Sequence, residues 1–155
     1  MALKSGSMWV SSFMIPFCID RLTKYVVLQD IVQNQDITSF LEIYLTYNRG
    51  ISWGIASTPD SLQFTFVSLL VAVVLSIFVW YICTHKMNTV SYVAALYVLA
   101  GAASNFLDRL LYGGVVDFIR FHYSVWSFPV FNVADVFITL GTFFLVWFHV
   151  FDESV

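Results

Sequence analysis

Long apolar runs, interrupted by charge at only a few places, dominate the chain. Residues 61–84 and 87–107 contain no Asp, Glu, Lys, Arg or His. Residues 130–151 contain only two such residues, and a shorter clean run covers 5–19. A helix needs about 20 predominantly apolar residues to cross a bilayer. The pattern therefore predicts four membrane-spanning helices, at about 8–28, 61–83, 89–112 and 131–151.

The first predicted span is interpreted as a retained helix and not as a cleaved signal peptide. Its apolar stretch is followed by Cys18-Ile19-Asp20-Arg21, which has no small-x-small cleavage pattern. Cys18 and Cys83 lie in spans that should place them at opposite membrane faces, so no disulfide is predicted. Both cysteines are interpreted as small buried residues.

A short surface sheet is predicted in the long connection between the first two spans. Apolar and polar residues alternate from Leu41 to Asn48, which is typical of a half-buried strand. Asn48-Arg49-Gly50 has turn composition, and the alternation resumes over 51–55. These features predict a β-hairpin or small sheet at about 38–57, lying on the membrane surface.

The composition supports a membrane protein and excludes several functional classes. Of the 155 residues, 59% are hydrophobic and only 11% are charged, whereas ordinary soluble domains have about 25% charged residues. Seven Lys and Arg residues and a net charge of −3 offer no basic surface to nucleic acid. We therefore predict an all-α integral membrane protein. It would be a four-transmembrane-helix bundle with a small surface β-sheet, folded as a single domain over residues 1–155.

Polar residues that are unusual in so apolar a chain are predicted to gather at one membrane face. Successive spans alternate in direction, so the ends of the first and third spans share a side with the start of the fourth. Ionisable groups at membrane depth are costly and usually mark a functional site or an internal pair. Lys and Arg are too evenly distributed to identify this face. The residues concerned are Asp20, Lys24, Asn48, Asn105, Asp108, Arg109, Asp117, Asn132 and Asp135.

Two pairs of charged residues have both a structural and a functional interpretation. Asp20 and Lys24, spaced i,i+4, form either a structural ion pair or a brace behind a site. Asp108 and Arg109 form either a helix-end charge pair or, through Arg109, a partner for a carbonyl or phosphate oxygen. One face of the third span is predicted to carry Gly101, Asn105, Asp108, Arg109 and Tyr112, with the glycine allowing a close helix contact.

Asp117 and Asp135 are the strongest candidates for chemistry. Taken alone, Asp117 after Gly113-Gly114 is interpreted as a turn or cap residue, and Asp135 as a helix N-terminal carboxylate following an Asn132 cap. Taken together, they are two carboxylates at one membrane level. One can hold a proton while the other activates a water. The sequence contains no defensible Ser or Cys triad, zincin motif or phosphate loop.

Two other functions remain open from the residues alone. Membrane carboxylates also serve as proton relays, so a small proton-coupled transporter or channel subunit is a second hypothesis. Four spans without an inverted repeat, with carboxylates gathered at one face, disfavour it. A non-enzymatic membrane scaffold, in which every polar residue is a cap or an ion pair, is the third hypothesis.

Five motifs in order along the chain resemble those of the type II signal peptidases, the bacterial lipoprotein signal peptidases. They extend over nearly the whole chain. Ala102-Ala103-Ser104 stands where the family is often richer in glycine. The motifs are Asp20-Arg21-Leu22-Thr23-Lys24, Asn48-Arg49-Gly50-Ile51-Ser52-Trp53, Gly101-Ala102-Ala103-Ser104-Asn105-Phe106-Leu107-Asp108-Arg109, Gly114-Val115-Val116-Asp117-Phe118 and Phe131-Asn132-Val133-Ala134-Asp135.

The resemblance implies an intramembrane aspartyl endopeptidase of the bacterial cytoplasmic (inner) membrane. Its substrates would be diacylglyceryl-modified prolipoproteins, cleaved just before the lipidated cysteine. Both termini would be cytoplasmic, and the site would lie near the extracytoplasmic face. The resemblance implies no metal and no cofactor, membrane lipids as surroundings, and inhibition by globomycin-type molecules; we expect a monomer.

The resemblance also assigns roles to particular residues. Asp117 and Asp135 would form the catalytic dyad, and the surface sheet would hold the lipid-bearing substrate. Residues that would bind substrate or inhibitor, or support the site, are Asn48, Gly50, Asn105, Arg109, Asn132, Ala134, Asp20, Lys24 and Asp108.

Overall fold

The computed structural model describes residues 2–29, 35–50 and 61–151, with only the backbone given for 2–5 and 149–151. The predicted helices agree with the observed ones to within a few residues, except that the first begins earlier. The predicted continuation of the β element over 51–57 lies outside the described residues. The helices are α1 (Ala2–Leu28), α2 (Ser61–Thr84), α3 (Thr89–Tyr112) and α4 (Val133–Phe151).

Two of the four helices are long and apolar enough to cross a membrane, namely α2 and α3. Along α2, large apolar side chains are mostly exposed, including Leu62, Phe66, Leu69 and Trp80. A soluble protein would bury such side chains, because each is worth about 1.5–3 kcal/mol when removed from water. Lipid is therefore the natural solvent of this helix, and membrane spans at α1 and α4 stay predictions.

Local sequence explains where the helices begin and end. The side-chain oxygen of Asn88 accepts the Ser91 amide at 2.8 Å, capping the N-terminus of α3. At the other end, Gly113 adopts a φ of 67°, the left-handed conformation that commonly closes a helix. Only two residues then separate α3 from the next strand, so α3 fixes where that strand starts.

The chain divides into two compact units. The first comprises residues 1–20, 73–104 and 133–155. Within it, α3 and α4 pack closely through two glycines. A Cβ at Gly101 would lie 2.5 Å from the Ala134 carbonyl oxygen, and one at Gly141 would lie 2.6 Å from that of Ala94. The predicted close helix contact at Gly101 is thus confirmed.

The second unit comprises residues 21–72 and 105–132 and contains a four-stranded antiparallel sheet. The strand order is β1-β2-β3-β4. A bulge interrupts the β2–β3 register between Ile43 and Thr46, so Thr46 lies opposite Asp117. The strands are β1 (Gln35–Asp36), β2 (Leu41–Asn48), β3 (Val115–Tyr123) and β4 (Trp126–Ser127).

Two interpretations made from the sequence are wrong. Asp117 is not a turn or cap residue; it lies within β3, because its backbone pairs with that of Thr46 in β2. Cys18 and Cys83 are exposed, not buried, and both are free thiols as predicted.

Candidate functional site

Asp117 is held at the centre of a polar cluster in the second unit. It is 2% exposed, and its neighbours in β3, Val116 and Phe118, are buried as well. Its Oδ1 accepts a hydrogen bond from the Asn132 side-chain amide at 2.6 Å, and its Oδ2 accepts one from the Asn48 amide at 3.1 Å. Two neutral donors, one on each oxygen, therefore fix the orientation of the carboxylate.

The turn after β2 explains how Asn48 is positioned. The Asn48 side-chain oxygen accepts the backbone N–H of Gly50 at 3.0 Å, forming an Asx turn. Because this oxygen is bound by the turn, the amide nitrogen points to Asp117. One side chain thus both builds the turn and orients the carboxylate.

A chain of hydrogen bonds connects Asp117 to a buried lysine. The amide nitrogen of Asn132 also donates to the Asn105 side-chain oxygen at 3.1 Å. The same Asn105 oxygen accepts a hydrogen bond from Lys24 Nζ at 2.8 Å. Lys24 and Asn132 are fully buried. Asn105 and Asn132 therefore link the Lys24 ammonium to the Asp117 carboxylate through hydrogen bonds.

Asp108 forms ion pairs with two cations on α1. Its carboxylate binds Arg21 through one oxygen and Lys24 Nζ at 2.7 Å through the other. The second oxygen also accepts the backbone N–H of Val116 at 3.1 Å, at the start of β3. Removing one partner from such a buried group usually costs about 3–5 kcal/mol, because a charge is left uncompensated. Asp108 thereby ties the end of α1 to the strand that carries Asp117.

Arg109 contacts the turn on the other side of Asp117. Its Nη2 donates to the carbonyl oxygen of Gly50. Its guanidinium lies 5.9 Å from the Phe64 ring centroid, and that of Arg49 lies 4.9 Å from the same ring. The Nη1 of Arg109 is buried and has no hydrogen-bond partner within the ranges that the structure describes.

The remaining candidate residues lie in the first unit, around the N-terminus of α4. Asp20 Oδ1 accepts the backbone N–H of Ala134 at 2.7 Å, and Oδ2 accepts the Ser104 hydroxyl at 2.6 Å. Asp20 is fully buried and caps the first turn of α4 from another helix. Asp135 lies in that first turn and is half-buried.

These contacts give the ambiguous charged residues a clearer role. Asp108 is bound by cations of α1, so it is more than a partner for its neighbour Arg109. Lys24 contacts Asn105 and Asp108, while Asp20 holds the start of α4. Lys24 therefore belongs to the polar cluster around Asp117, whereas Asp20 holds the first turn of α4.

A second group of potential metal ligands lies elsewhere in the sheet. Asp36, Glu42 and His122 offer ligand atoms that all lie within 4.8 Å of one another. Glu42 is already bound by Arg120, whose Nε donates to it at 2.8 Å. None of the residues selected from the sequence belongs to this group, and its Glu42 carboxylate already pairs with Arg120.

Three residues in contact with the network were not selected from the sequence as site residues. Arg21 binds Asp108, Ser104 binds Asp20, and Phe64 lies beneath two guanidinium groups. Arg21 and Ser104 both lie inside motifs that contain selected residues, and this position in the sequence could have identified them. Phe64 offered none, because one aromatic residue in an apolar span looks like any other.

Comparison with known proteins identifies relatives over nearly the whole chain. A family model described as signal peptidase (SPase) II matches residues 12–151. The lipoprotein signal peptidase of Burkholderia cenocepacia (strain J2315) is 35% identical over 142 residues, covering 90% of this chain and 85% of the relative. That of Burkholderia vietnamiensis (strain G4) is 34% identical with the same coverage.

Solved structures share the fold. One described as a bacterial membrane enzyme structure by the in meso method at 2.3 Å resolution superposes with a TM-score of 0.80 and 30% identity, covering 96% of this chain and 90% of the other. A second, described in the same words at 1.9 Å, gives 0.76 and 28%, covering 96% and 95%. Sequence, motif order and fold agree, and the chain belongs to the signal peptidase II family.

Proposed function

We propose that the protein is an aspartyl endopeptidase that removes the signal peptide from diacylglyceryl-modified prolipoproteins by cleaving before the lipidated cysteine. Membership of the family makes it a membrane peptidase acting on lipoproteins. The observation that carries the aspartyl mechanism is the environment of Asp117. Each oxygen of this buried carboxylate accepts a hydrogen bond from an asparagine amide, so the orientation of the carboxylate is fixed. A residue that only caps a turn does not require this arrangement.

The second carboxylate of the proposed dyad is Asp135. It follows Asn132 by three residues, and Asn132 is the residue whose amide binds Asp117 at 2.6 Å. Its position in the first turn of α4 favours a negative charge, because the helix N-terminus carries a partial positive charge. Two carboxylates in a shared low-dielectric site hold one proton between them.

The proposed reaction needs only these two groups and a water. The ionised carboxylate accepts a proton from water while the oxygen of that water attacks the scissile carbonyl carbon. The protonated carboxyl donates a hydrogen bond to the carbonyl oxygen and stabilises the negative charge that develops there. The C–N bond of the tetrahedral intermediate then breaks, and the carboxyl that accepted the proton from water donates it to the leaving nitrogen, which becomes the free amine of the lipid-bearing cysteine.

The other candidate residues would position substrate or hold the dyad in place. We propose that the unpartnered Nη1 of Arg109 donates to a substrate carbonyl beside the Gly50 turn. Asn105, Lys24 and Asp108 would act through Asn132 and β3. Asp20 would act through Ala134 at the start of α4.

The decisive experiment compares three Asp→Asn variants on one lipidated precursor. Asp117→Asn and Asp135→Asn should each abolish cleavage while the protein still inserts and retains its melting temperature. Asp36→Asn is the matched control, because Asp36 lies in the same sheet with its side chain 77% exposed, and it should cleave normally. Full activity of either dyad variant would refute the proposal. Proton flux through reconstituted vesicles without cleavage would instead support the transporter hypothesis.

A further inference from the structure

The tip of the β3–β4 hairpin is unusually apolar for an exposed turn. Tyr123, Val125 and Trp126 are 80%, 95% and 80% exposed, respectively. No Asp, Glu, Lys or Arg occurs anywhere between residues 121 and 134. Exposed turns are normally rich in Gly, Asn, Asp and Ser, and contiguous exposed apolar groups mark an interaction surface. We propose that this tip, Tyr123–Trp126, inserts into the interfacial layer of the lipid bilayer.

Folding of the hairpin does not by itself account for these side chains. Strands β3 and β4 are joined by the two-residue turn Ser124–Val125, in which Ser124 has a φ of 54°. The positive φ at Ser124 favours Gly, Asn or Asp at that position. The geometry of the turn does not require a branched apolar residue at Val125. Val125 nevertheless occupies the apex and is almost completely exposed. A partner outside the chain is therefore the natural reason for the apolar apex.

The sheet is two-faced, and the tip continues its apolar face. Successive residues of a strand point to opposite faces, and directly paired residues share a face. Tyr123 pairs with Trp126, and Phe121 pairs with Leu41, which places these apolar residues on one side. The opposite side carries the Glu42–Arg120 ion pair.

An open apolar cavity adjoins the tip. Its volume is about 550 Å³, and its lining includes Phe40, Phe121, Trp126, Phe128 and Pro129. The aromatic rings of Phe121 and Phe128 both pack against Phe131, at centroid distances of 5.9 Å. A ring-lined, open depression beside an aromatic tip suits the hydrocarbon just below lipid headgroups.

The chemistry of the tip matches the membrane interface more closely than its hydrocarbon centre. Tyr and Trp have an apolar ring with one polar group, and they are enriched where headgroups meet hydrocarbon. The same unit also has exposed apolar side chains before the opposite end of β3. Leu110 and Leu111, in the last turn of the membrane-spanning α3, are 66% and 59% exposed, and β3 begins four residues later.

This arrangement requires β3 to run along the membrane surface. The strand has nine residues, about 30 Å at 3.3 Å per residue, so a strand perpendicular to the bilayer would carry the tip far from lipid. Asp117 lies six residues from Tyr123 on the same face of β3. Anchoring the tip would therefore fix the height of Asp117 relative to the bilayer.

Depth measurement by spin labelling tests the proposal without relying on enzymatic activity. In a Cys18→Ser, Cys83→Ser background, Val125→Cys carries a nitroxide in single-copy nanodiscs of phosphatidylethanolamine and phosphatidylglycerol. Asp36→Cys is the matched control on the polar side of the same sheet. We expect the Val125 label to be several-fold less accessible to a water-soluble nickel complex than the Asp36 label, and more accessible to oxygen.

Three results would overturn the proposal. One is equal nickel accessibility at the two positions. Another is protection of the Val125 label that is absent in single-copy discs and appears with several copies per disc, because a second protein copy would then cover the tip. The third is equal nickel accessibility of labels at Tyr123→Cys and Asp36→Cys. Tyr123→Cys serves as the second label position if Val125→Cys lowers the melting temperature.

Discussion

At the scale of single residues, two neutral amides connect the buried Lys24–Asp108 ion pair to the Asp117 carboxylate. Lys24, Asp108 and Asp117 are all nearly or fully buried, a costly state for ionised groups. Asn105 and Asn132 stand between the ammonium and the Asp117 carboxylate. The Asn132 amide, together with that of Asn48, fixes the orientation of the Asp117 carboxylate.

Asn132→Ala should reduce turnover more than it reduces substrate binding. The substitution removes the 2.6 Å hydrogen bond to Asp117 and leaves Asn48, at 3.1 Å, as the amide that orients the carboxylate. A misplacement of about 1 Å in a catalytic group costs on the order of 100-fold in rate, so we expect kcat to fall by about that factor with KM little changed. Steady-state kinetics on a lipidated peptide in mixed micelles would measure this.

A purely structural role for Asn132 would give a different result. It would lower the melting temperature and leave the kcat of the folded fraction intact. Asn48→Asp provides a second readout, because an aspartate keeps the acceptor for the Gly50 N–H but places a carboxylate beside Asp117. That variant should shift the pH dependence of kcat, since two like charges in contact cannot both ionise easily.

At the scale of elements, a single β-bulge decides which face of the sheet Asn48 joins. The alternation in β2 predicts that Asn48 lies on the opposite face from Leu41 and Ile43, which pair with the Asp117 side of β3. The extra residue between Ile43 and Thr46 reverses the alternation, because side chains in a strand have a period of two. Thr46 and Asn48 are thereby placed on the same side as Asp117.

The strand that carries Asp117 could not be predicted from its pattern. Residues 115–118 are all buried, so apolar residues follow one another without the alternation that signals a half-buried strand. The helices were predictable for the opposite reason: a lipid solvent imposes long apolar segments and excludes charge. The bulge and the choice of hydrogen-bond partners depend on tertiary contacts that no local pattern encodes.

Gly101→Val should destabilise the protein through the contact between α3 and α4. The new Cβ would lie 2.5 Å from the Ala134 carbonyl oxygen and 2.8 Å from Ile138 Cγ1, and a backbone atom cannot rotate away. Overpacking of this kind costs about 1–3 kcal/mol. We expect a lower melting temperature in detergent, together with reduced activity because Ala134 is adjacent to Asp135.

Gly6→Ala is the control for that substitution. It adds a methyl group on α1 where, among the described residues, no atom outside the adjacent helix backbone lies within 4 Å. Alanine also favours helix more than glycine does. Its melting temperature should be unchanged or slightly higher. Equal stability of Gly101→Val and Gly6→Ala would show that the two helices can separate at no cost.

At the scale of the whole molecule, the scarcity of charge is informative about function. Only 11% of the residues are charged, and several of these charged residues are buried within the protein. Asp20, Lys24, Asp108 and Asp117 were all selected from the sequence because they were exceptions to an apolar background. Their partners required the structure, because each bond joins segments that are distant in the chain.

The orientation in the membrane is the property that charge alone leaves undecided. Lys4 and Lys86 fall on one predicted side, and Arg49 and Arg120 fall on the other, so the positive-inside rule gives no preference. Four alternating spans with a cytoplasmic N-terminus would require residue 40 to be extracytoplasmic, and residue 86 and the end of α4 to be cytoplasmic. We expect alkaline phosphatase fused after Phe40 to be active, and green fluorescent protein fused after Lys86 or after Phe151 to fluoresce. Reciprocal fusions at the same positions control for expression. Alkaline phosphatase activity after Phe151 would mean an odd number of crossings or the reverse orientation, and it would place the proposed dyad on the wrong side for exported lipoproteins.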